Sequence, residues 1–363
     1  MGKMVFVARG RRLIFDDPVE VLAAADAREV ASNLKAVARG LRRGLYAAGF
    51  VSYEAAPAFD DALAVHAPSD VPLSWFGLYR KPARGAPAPA GDFRVGPWRP
   101  AVNKAEYNRC IGEIRRLITA GDVYQVNYTF PLSARFQGSA QCWFECLNTA
   151  QPADHCVFAQ IGRFSIVSVS PELFFKLRSG RLETRPMKGT RARQARPAAD
   201  RRAAEELLAS PKERAENVMI VDLLRNDMSR ISRPGTVKVS RLYAVEAYPT
   251  VWQMTSTVVS RTSAAAPEVL GALFPSGSVT GAPKVRAMQI IRELEQAPRG
   301  IYCGAIGWMA PNGSAEFNVA IRTATIDHEL HLAHYPVGGG ITYDSVAADE
   351  YAECLTKAAV LQR

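Results

Sequence analysis

The amino-acid sequence predicts an α/β (α+β) fold, in which helices and strands follow one another along the whole chain. The chain has 363 residues, of which 48% are hydrophobic and 22% are charged, as is typical of a folded globular protein. Apolar residues recur every three or four positions in some segments, as in amphipathic helices, and alternate with polar residues in others, as in strands. At roughly 150 residues per domain, this length favours about two domains.

The composition excludes several classes of protein. No apolar run of about 18 residues or more occurs, so no membrane span is expected, and the N-terminus lacks the apolar centre of a secretory signal. The six cysteines are scattered without the spacing of a zinc site, and we predict that they are reduced in a cytoplasmic protein. The net charge of +10 could attract nucleic acid, a membrane surface or a small anionic substrate, and we expect no membrane partner. Because no RNA-binding motif and no zinc finger are recognisable, we expect no nucleic-acid partner.

The first part of the chain, residues 1–90, is predicted to be a small α/β portion that shares the fold with a larger region over residues 91–363. Helical periodicity of apolar residues runs from Val21 to Leu45. Two strands are predicted after this helix, at Gly49–Tyr53 and Trp75–Tyr79. The segment Lys81–Gly91 is rich in Pro, Ala and Gly, which is typical of an exposed linker.

The larger region alternates further helices and strands. The predicted helices are Asn103–Ala120, Cys142–Ala150, Pro211–Ile231, Val285–Gln296 and a last one from Asp344–Ser345 to Leu361. The predicted strands are Asp122–Thr129, Cys156–Gln160, Ser165–Val169, Leu173–Leu177, Val237–Val245, Pro249–Val259, Tyr302–Met309 and Ala315–Ile326. Gln125 and Asn127 share one face of their strand, where they meet either solvent or a ligand.

The segment Arg185–Arg191 is a candidate for the chemistry of the protein, because it holds Lys188 beside a Gly in a turn that Pro186 opens. A Lys is normally charged, and it becomes a nucleophile when a pocket or a cationic neighbour lowers its pKa. Arg185 and Arg191 are the expected cationic neighbours. The alternative is a solvated surface turn, which this heptapeptide alone does not exclude.

Four other polar features stand out along the chain. Arg322 lies inside an apolar predicted strand, where a charge is costly unless it is paired or binds an anion. The amides of Gly338–Gly340, which follow a further strand, can approach a carboxylate closely. Glu353 and Lys357 are four residues apart on a helix, and Glu216 lies near a helix N-terminus. The simplest interpretations are a surface ion pair and compensation of the helix dipole.

Nine segments, taken in order, resemble the chorismate-utilising enzymes. This family includes anthranilate synthase component I, aminodeoxychorismate synthase component I, and the isochorismate and salicylate synthases. The resemblance implies a chorismate-binding catalytic region with two large β-sheets packed face to face and helices on the outside. The matching segments are GDVYQVN (121–127), SPELF (170–174), RPMKGTR (185–191), ERAENVMIVDLLRND (213–227), GSVTGAPK (277–284), RGIYCGAIG (299–307), FNVAIRT (317–323), GGGITYDS (338–345) and EYAECLTK (350–357).

The resemblance implies a dicarboxylate substrate, chorismate, and Mg²⁺ as cofactor. Glu216 and Glu353 match the Mg²⁺ ligands, and oxygen ligands are those that Mg²⁺ prefers. The ring carboxylate is implied to bind the Mg²⁺, Lys357 and the amide of Gly189. The enolpyruvyl carboxylate is implied to bind Arg322, Tyr302 and the amides of Gly338, Gly339 and Gly340.

The family resemblance also assigns the reacting groups. Lys188 is implied to add to C2 of the ring as the C4 hydroxyl leaves, after which ammonia attacks C4 and expels the Lys. Glu172 is implied to be the general acid and base, and Thr190 to contact the C4 oxygen. Isochorismate and salicylate synthases carry a Lys at Gln125, as the base for water. Anthranilate synthases typically have Ala at position 188, and aminodeoxychorismate synthases have Lys.

The implied product is therefore 4-amino-4-deoxychorismate, for 4-aminobenzoate and folate synthesis, made by an enzyme of the transaminase/amidotransferase class. The sequence has no glutaminase nucleophile motif, so ammonia is expected from a separate glutamine amidotransferase subunit. Gln253 stands where the family often has a His. The alternatives are anthranilate synthase component I and, in a different class, a non-catalytic basic binding protein that kept the fold.

Overall fold

A computed structural model describes residues 2–8, 10–85, 91–358 and 361. These residues form eight α-helices and twenty strands, and the strands build two antiparallel sheets of ten strands each. The helices are α1 Ala27–Arg42, α2 Lys104–Thr119, α3 Ala140–Ala150, α4 Pro197–Ala209, α5 Pro211–Ser229, α6 Ala266–Leu273, α7 Lys284–Leu294 and α8 Ala347–Ala358. No helix among the described residues is long and apolar enough to span a lipid bilayer.

The strands are numbered in chain order. The first ten are β1 Gly2–Ala8, β2 Arg11–Phe15, β3 Glu20–Ala24, β4 Tyr46–Val51, β5 Ser74–Tyr79, β6 Phe93–Val95, β7 Arg99–Pro100, β8 Gln125–Gly138, β9 His155–Ile161 and β10 Phe164–Ser170. The second ten are β11 Leu173–Arg178, β12 Arg181–Arg185, β13 Met187–Ala192, β14 Lys238–Ala247, β15 Val251–Arg261, β16 Gly281–Ala282, β17 Ala305–Met309, β18 Ala315–Val319, β19 Thr323–Asp327 and β20 Leu332–Ile341.

The chain passes repeatedly between the two sheets. The first sheet has the order β16-β8-β20-β19-β10-β9-β1-β2, and β6 and β7 also pair with β8. The second sheet has the order β13-β15-β12-β11-β18-β17-β4-β5-β3, and β14 also pairs with β15. Residues 1–90 supply strands to both sheets, since β1 pairs with β9 and β4 pairs with β17. The division of the chain at residue 90 stays a prediction, and residues 86–90 of the expected linker lie outside the described residues.

The two sheets pack face to face, which confirms the predicted fold class. Phe6 and Phe15 of the first sheet share one buried cluster with Phe50 and Trp75 of the second. On the outer face of the first sheet, the apolar side of α2 buries Tyr107 completely. Burial of about 25 cal/mol per Å² of apolar surface makes such clusters the main stabilising contribution to the fold.

The predicted helix over Val21–Leu45 is wrong in its first turns. Val21 and Leu22 belong to β3, which pairs with β5 at the edge of the second sheet. The helix begins only after Asp26, whose carboxylate accepts a hydrogen bond of 2.9 Å from the backbone N–H of Glu29. An N-cap of this kind fixes the start of a helix more firmly than apolar spacing does.

The predicted strand Ala315–Ile326 is two strands in different sheets. β18 lies in the second sheet and β19 in the first, and the chain crosses between them at Arg322. Arg322 has a φ of 49°, in the left-handed region that a non-glycine residue adopts only when its surroundings require it. Apolar residues on both sides of the crossing are buried, so they read as one continuous strand.

Other predicted elements differ in smaller ways. Gly338–Gly340 lie within β20 instead of following a strand, and Asp122–Tyr124 precede β8. The helices α4 and α6 were not predicted from the sequence. The last helix begins at Ala347, later than Asp344–Ser345, and residues 359 and 360 of its predicted end lie outside the described residues.

Candidate active site

A cleft of about 230 Å³ brings together most of the residues that the sequence singled out. Its walls come from β20 of the first sheet, from β13 and β15 of the second, and from helices α5 and α8. The predicted site residues that line it are Glu172, Lys188, Thr190, Glu216, Tyr302, Arg322, Gly338, Gly339, Gly340, Glu353 and Lys357. Residues from distant parts of the sequence therefore meet where the two sheets adjoin.

An irregularity in strand pairing presents Lys188 to the cleft. The register between β13 and β15 shifts between Met187 and Thr190, so the residues between them leave the regular ladder. Gly189 has a φ of 92°, which favours glycine at this point. The chain departs from regular pairing here because Pro186 precedes Met187 and Lys188, and Gly189 follows them.

The environment of Lys188 favours its neutral, nucleophilic form. Removal from water is the largest influence and lowers the pKa of the Lys188 ammonium, and the charge of Lys357 acts in the same direction. The nearby carboxylates of Glu216, Glu172 and Glu353 oppose this change without reversing it. Burial in a pocket was one of the two expected causes, but the expected cationic neighbours were wrong. Arg185 lies beside Asp154 and Glu246, and Arg191 lies beside Glu213.

Glu172 is the buried acid of the cleft, with 3% of its surface exposed. Burial raises the pKa of its carboxyl to about 7, against a hydrogen bond from Ser278 and the charge of Lys188. A carboxyl with a pKa near neutrality can both donate and accept a proton. Burial thus raises the pKa of Glu172 and lowers that of Lys188, and perturbed pKa values of this kind cluster at functional sites.

The glycines of β20 leave room for the side chains of the opposite wall. A Cβ at Gly340 would lie 2.8 Å from Lys188 Nζ and would collide with the amide nitrogen of Gln125. A Cβ at Gly339 would lie 3.3 Å from a carboxylate oxygen of Glu350. Gln125 is fully buried, and the hydrogen-bonding capacity of its amide is unused among the described residues. An unused buried amide beside a cleft is a polar group that a bound ligand can satisfy.

Arg322 supplies a positive charge to the cleft. Its backbone is held at the crossing between sheets, where its carbonyl accepts a hydrogen bond of 3.1 Å from Val169. The guanidinium is half-buried and, in the part of the chain that the structure describes, it forms no ion pair with a carboxylate. An unpaired cation in such a place is best satisfied by an anionic ligand.

Four carboxylates from two facing helices line the other end of the cleft. Glu213 and Glu216 lie on α5, and Glu350 and Glu353 lie on α8, each pair one helical turn apart. Burial raises the pKa of Glu216 to about 7. Glu353 is exposed, and although partial burial opposes it, the ion pair with Lys357 at 2.9 Å lowers its pKa.

These carboxylates suit a hard divalent cation. Over the described residues, no three His, Cys, Asp or Glu side chains are close enough to enclose a metal by themselves. Mg²⁺ characteristically takes one or two protein carboxylates and completes its shell with water and substrate oxygens. Glu216 and Glu353 therefore fit this ion in number and chemistry, and the like charges of Glu213 and Glu350 add attraction for it.

Gly189 is the one predicted site residue that does not line the cleft. Its carbonyl accepts a hydrogen bond of 2.7 Å from Gln253 Nε2, and a Cβ added to it would lie 2.9 Å from Glu213 Oε2. The polar lining residues that sequence reasoning did not assign to the site include Lys212, Glu213, Gln253, Ser278, Tyr335 and Glu350, and Asn127, for which it left solvent or a ligand open, also lines the cleft. Glu213 and Glu350 could have been found, because each lies three residues before a predicted metal ligand on the same helix.

A larger cavity of about 840 Å³ opens elsewhere between the sheets, lined in part by β1 and β17. Both of its carboxylates are paired, Glu316 with Lys176 at 2.8 Å and with His155 at 3.1 Å, and Asp154 with Arg185 at 3.9 Å. A charge that is already neutralised offers less to a ligand than the unpaired Arg322 and the perturbed Lys188 and Glu172. The smaller cleft is therefore the better candidate for catalysis.

The sequence is similar to those of known enzymes. The sequence model of the chorismate binding enzyme family matches residues 84–363. Aminodeoxychorismate synthase component 1 of Klebsiella aerogenes is 42% identical over 277 residues, which cover 76% of this chain and 61% of that protein. Anthranilate synthase component 1 of Aquifex aeolicus is 38% identical over 269 residues, covering 73% and 54%. The chain thus spans less than two thirds of the length of these curated relatives.

Solved structures extend the similarity to the whole fold. Anthranilate synthase component I from Streptococcus pneumoniae superimposes with a TM-score of 0.79 at 26% identity, over 99% of this chain and 90% of that one. The menaquinone-specific isochorismate synthase from Escherichia coli superimposes with a TM-score of 0.79 at 17% identity, over 100% of this chain and 88% of that one. At such low identity the second likeness concerns the fold alone.

Proposed function

Because the chain belongs to the chorismate binding enzyme family, we propose that it aminates chorismate at C4 to give 4-amino-4-deoxychorismate. The observation that carries this proposal is Lys188, an amine with a lowered pKa that lines the cleft beside the buried acid Glu172. A lowered pKa makes more of the neutral amine available, and the neutral amine is the nucleophilic form of a lysine. Gln125 supports amination over hydration, since an amide cannot remove a proton from water as a lysine base would.

The two ends of the cleft suit the two carboxylates of the substrate. Arg322 and the glycine strand of β20 would bind the enolpyruvyl carboxylate, with Tyr302 beside them. Lys357 would bind the ring carboxylate, and it is held in the cleft by a hydrogen bond of 2.9 Å to the carbonyl of Gly338. Because Gly189 does not line the cleft, its amide is the weakest of the expected substrate contacts.

Two displacement steps account for the proposed reaction. In the first, Lys188 Nζ forms a bond to C2, the C4–O bond breaks, and Glu172 gives a proton to the departing hydroxyl, which leaves as water. In the second, ammonia forms a bond to C4 and the C2–N bond to Lys188 breaks. Glu172 then takes a proton from the new ammonium group, so it ends protonated as it began.

The acid–base states found in the cleft match these steps. Lys188 must be neutral to attack, and its lowered pKa increases the neutral fraction at physiological pH. Glu172 must be protonated at the start, and a pKa of about 7 keeps a large fraction of it protonated there. Positioned proton transfer of this kind typically contributes about 10²- to 10⁴-fold to a rate.

Mg²⁺ is the proposed cofactor, and Glu216 and Glu353 would hold it. When bound, the ion would neutralise the ring carboxylate and fix its orientation. The pair between Lys357 and Glu353 is compatible with this arrangement, because Lys357 can turn to the substrate carboxylate when the ion takes up Glu353.

A separate glutamine amidotransferase subunit is the proposed source of ammonia. The names of the similar proteins describe them as component 1, which implies a second component in those enzymes. The proposed product would then serve 4-aminobenzoate and folate synthesis in the cytoplasm, where the six cysteines of the chain would remain reduced.

Anthranilate synthesis is the second candidate, favoured by the similarity to anthranilate synthase component 1 of Aquifex aeolicus. Incubation of the protein with chorismate, Mg²⁺ and ammonium, followed by mass spectrometry of the products, separates the two. Retention of the enolpyruvyl group supports 4-amino-4-deoxychorismate. Release of pyruvate with a fluorescent aromatic amine supports anthranilate and would overturn the first proposal. No consumption of chorismate would favour a non-catalytic binding protein.

A further inference from the structure

Gln253 makes two hydrogen bonds to consecutive residues of Arg185–Arg191, the segment that carries Lys188. It lies on β15 directly opposite Thr190 of β13 and is 7% exposed. Gln253 Nε2 donates to the carbonyl of Gly189 at 2.7 Å, and Thr190 Oγ1 donates to Gln253 Oε1 at 3.0 Å. Both Gln253 and Thr190 line the cleft. The amide thus holds the residues that directly follow Lys188.

The direction of these hydrogen bonds follows from the chemistry of the groups. A backbone carbonyl can only accept, so the amide end that faces Gly189 has to be the NH₂ group. The other end of the amide is then its oxygen, which can only accept, so Thr190 has to donate its hydroxyl proton to Gln253. A hydroxyl has a single proton. The face of Thr190 Oγ1 that is turned to the cleft therefore offers only lone pairs.

We propose that Gln253 is a positioning residue that fixes the Thr190 hydroxyl as a hydrogen-bond acceptor toward the ligand. The site then selects a ligand that carries an N–H or O–H donor opposite Thr190. This inference rests on the proposed function, in which the group near Thr190 is the C4 substituent of chorismate. The departing hydroxyl and the incoming ammonia are both donors, so the same acceptor serves both steps.

The amide also makes this arrangement independent of pH. Gln253 does not ionise, so the hydroxyl of Thr190 keeps one orientation across the range in which Glu172 and Lys188 change charge. Charged groups face the segment from two packed elements, Lys212 and Glu213 on α5 and Glu246 on β14, which lies directly opposite Gln253. Arg191 adds a charge on β13 itself. A titratable residue at position 253 would couple the Thr190 hydroxyl to those charges.

A double-mutant cycle tests the proposal on the full chain with chorismate, Mg²⁺ and ammonium. Thr190→Val and Gln253→Met should each lower kcat/KM by about three- to tenfold, the size expected for loss of one or two hydrogen bonds. The double variant should be no slower than the slower single variant, because both changes remove the same oriented acceptor. Thr190→Ser should recover most of the activity lost in Thr190→Val, since it keeps the hydroxyl.

Two further variants separate orientation from simple structural support. Gln253→Glu as a carboxylate can accept from Thr190 but cannot donate to Gly189, whereas its protonated carboxyl can do both. The ratio of its kcat/KM to that of wild type at the same pH should therefore rise as the pH falls through the pKa of the new carboxyl. For Gln253→Met, which has no titrating group at this position, the same ratio should not change with pH. Thr257→Val changes a residue of the same strand outside the cleft and should leave kcat/KM within about twofold of wild type.

The outcomes distinguish this inference from the proposed function. The positioning role would be overturned if the loss of kcat/KM in the double variant equalled the product of the two single losses, or if Thr190→Val kept full activity. Turnover of chorismate by the wild type would leave the proposed function standing in either case. Failure of the wild-type protein to consume chorismate with any ammonia source would overturn the proposed function itself, and with it the assignment of the C4 substituent to Thr190.

Discussion

Replacing Glu172 by Gln should change how the stability of the protein depends on pH. Burial raises the pKa of this carboxyl from its ordinary 4.5 to about 7, so the folded state binds its proton more tightly than the unfolded state does. The contribution of this proton to the free energy of unfolding is fully present below pH 4.5 and is lost as the pH rises through 7. The Gln variant carries no such proton and should lack this loss.

The magnitude follows from the two pKa values. Between pH 5 and pH 8 the linkage relation gives a loss of about 2.5 kcal/mol from this group. Urea unfolding of both proteins at the two pH values measures it, because the variant removes only one titrating group. The free energy of unfolding of Glu172→Gln should rise relative to wild type by about that amount between pH 5 and pH 8.

Glu316 provides a matched control with the opposite behaviour. Burial opposes its ionisation, but the hydrogen bonds and charges of His155 and Lys176 lower the pKa of its carboxyl to about 2. Its stabilising contribution is present above pH 4.5 and is lost only as the pH falls toward 2. Glu316→Gln should therefore be less stable than wild type at both pH 5 and pH 8. Equal pH dependence of wild type and Glu172→Gln would refute the raised pKa and the role of Glu172 as a proton donor near neutrality.

Three further substitutions test the walls of the cleft. Gly340→Ala places a Cβ 2.8 Å from Lys188 Nζ and should lower kcat/KM at least about tenfold, whereas Gly112→Ala, with no atom within 4 Å of its added Cβ, should have no effect on turnover or should stabilise its helix. Arg322→Lys keeps the charge but loses the forked geometry, and should raise KM for chorismate about tenfold with a smaller change in kcat. Glu353→Gln should raise the Mg²⁺ concentration for half-maximal rate about 10- to 100-fold, measured by titration of the metal.

The sequence predicted the elements with strong local signals. The helix at Asn103–Ala120 is confirmed as α2, because Asn103 caps it and Gly121, with a φ of 83°, follows its end. Trp75–Tyr79 is confirmed as part of β5, a fully buried strand of apolar residues. These features depend on neighbouring residues in the chain, and a sequence displays such relationships directly.

Relationships between distant residues were harder to predict. Nothing near Arg322 in the sequence indicates that the chain leaves one sheet and enters the other at that residue, because both strands are apolar. Lys357, far along the chain, and not Arg185 or Arg191, is the cation that helps to lower the pKa of Lys188. Adjacency in the sequence suggested the two arginines, but the side chain of Arg185 turns to Glu246 and that of Arg191 to Glu213.

The family resemblance supplied what local patterns could not. From the sequence alone it assigned five residues to one site, and the structure brings all five to one cleft. They are Glu172, Lys188, Glu216, Arg322 and Glu353. The hydrogen bonds of Gln253 could not be predicted in this way, since the resemblance marks that position only as a departure from the usual His. Such contacts follow from side-chain geometry in this particular chain.

The most direct test of the central claim is the rate of 4-amino-4-deoxychorismate formation by Lys188→Ala and Lys188→Arg, followed by mass spectrometry with chorismate, Mg²⁺ and ammonium. Lys188→Arg keeps a positive charge but cannot be deprotonated at accessible pH, so it separates nucleophilic attack from charge alone. Lys104→Ala, at the exposed start of α2, serves as the control for loss of a lysine elsewhere. We predict that both Lys188 variants lose activity by at least about 100-fold while Lys104→Ala retains it. Formation of the product by Lys188→Ala at the wild-type rate would contradict the covalent role of Lys188.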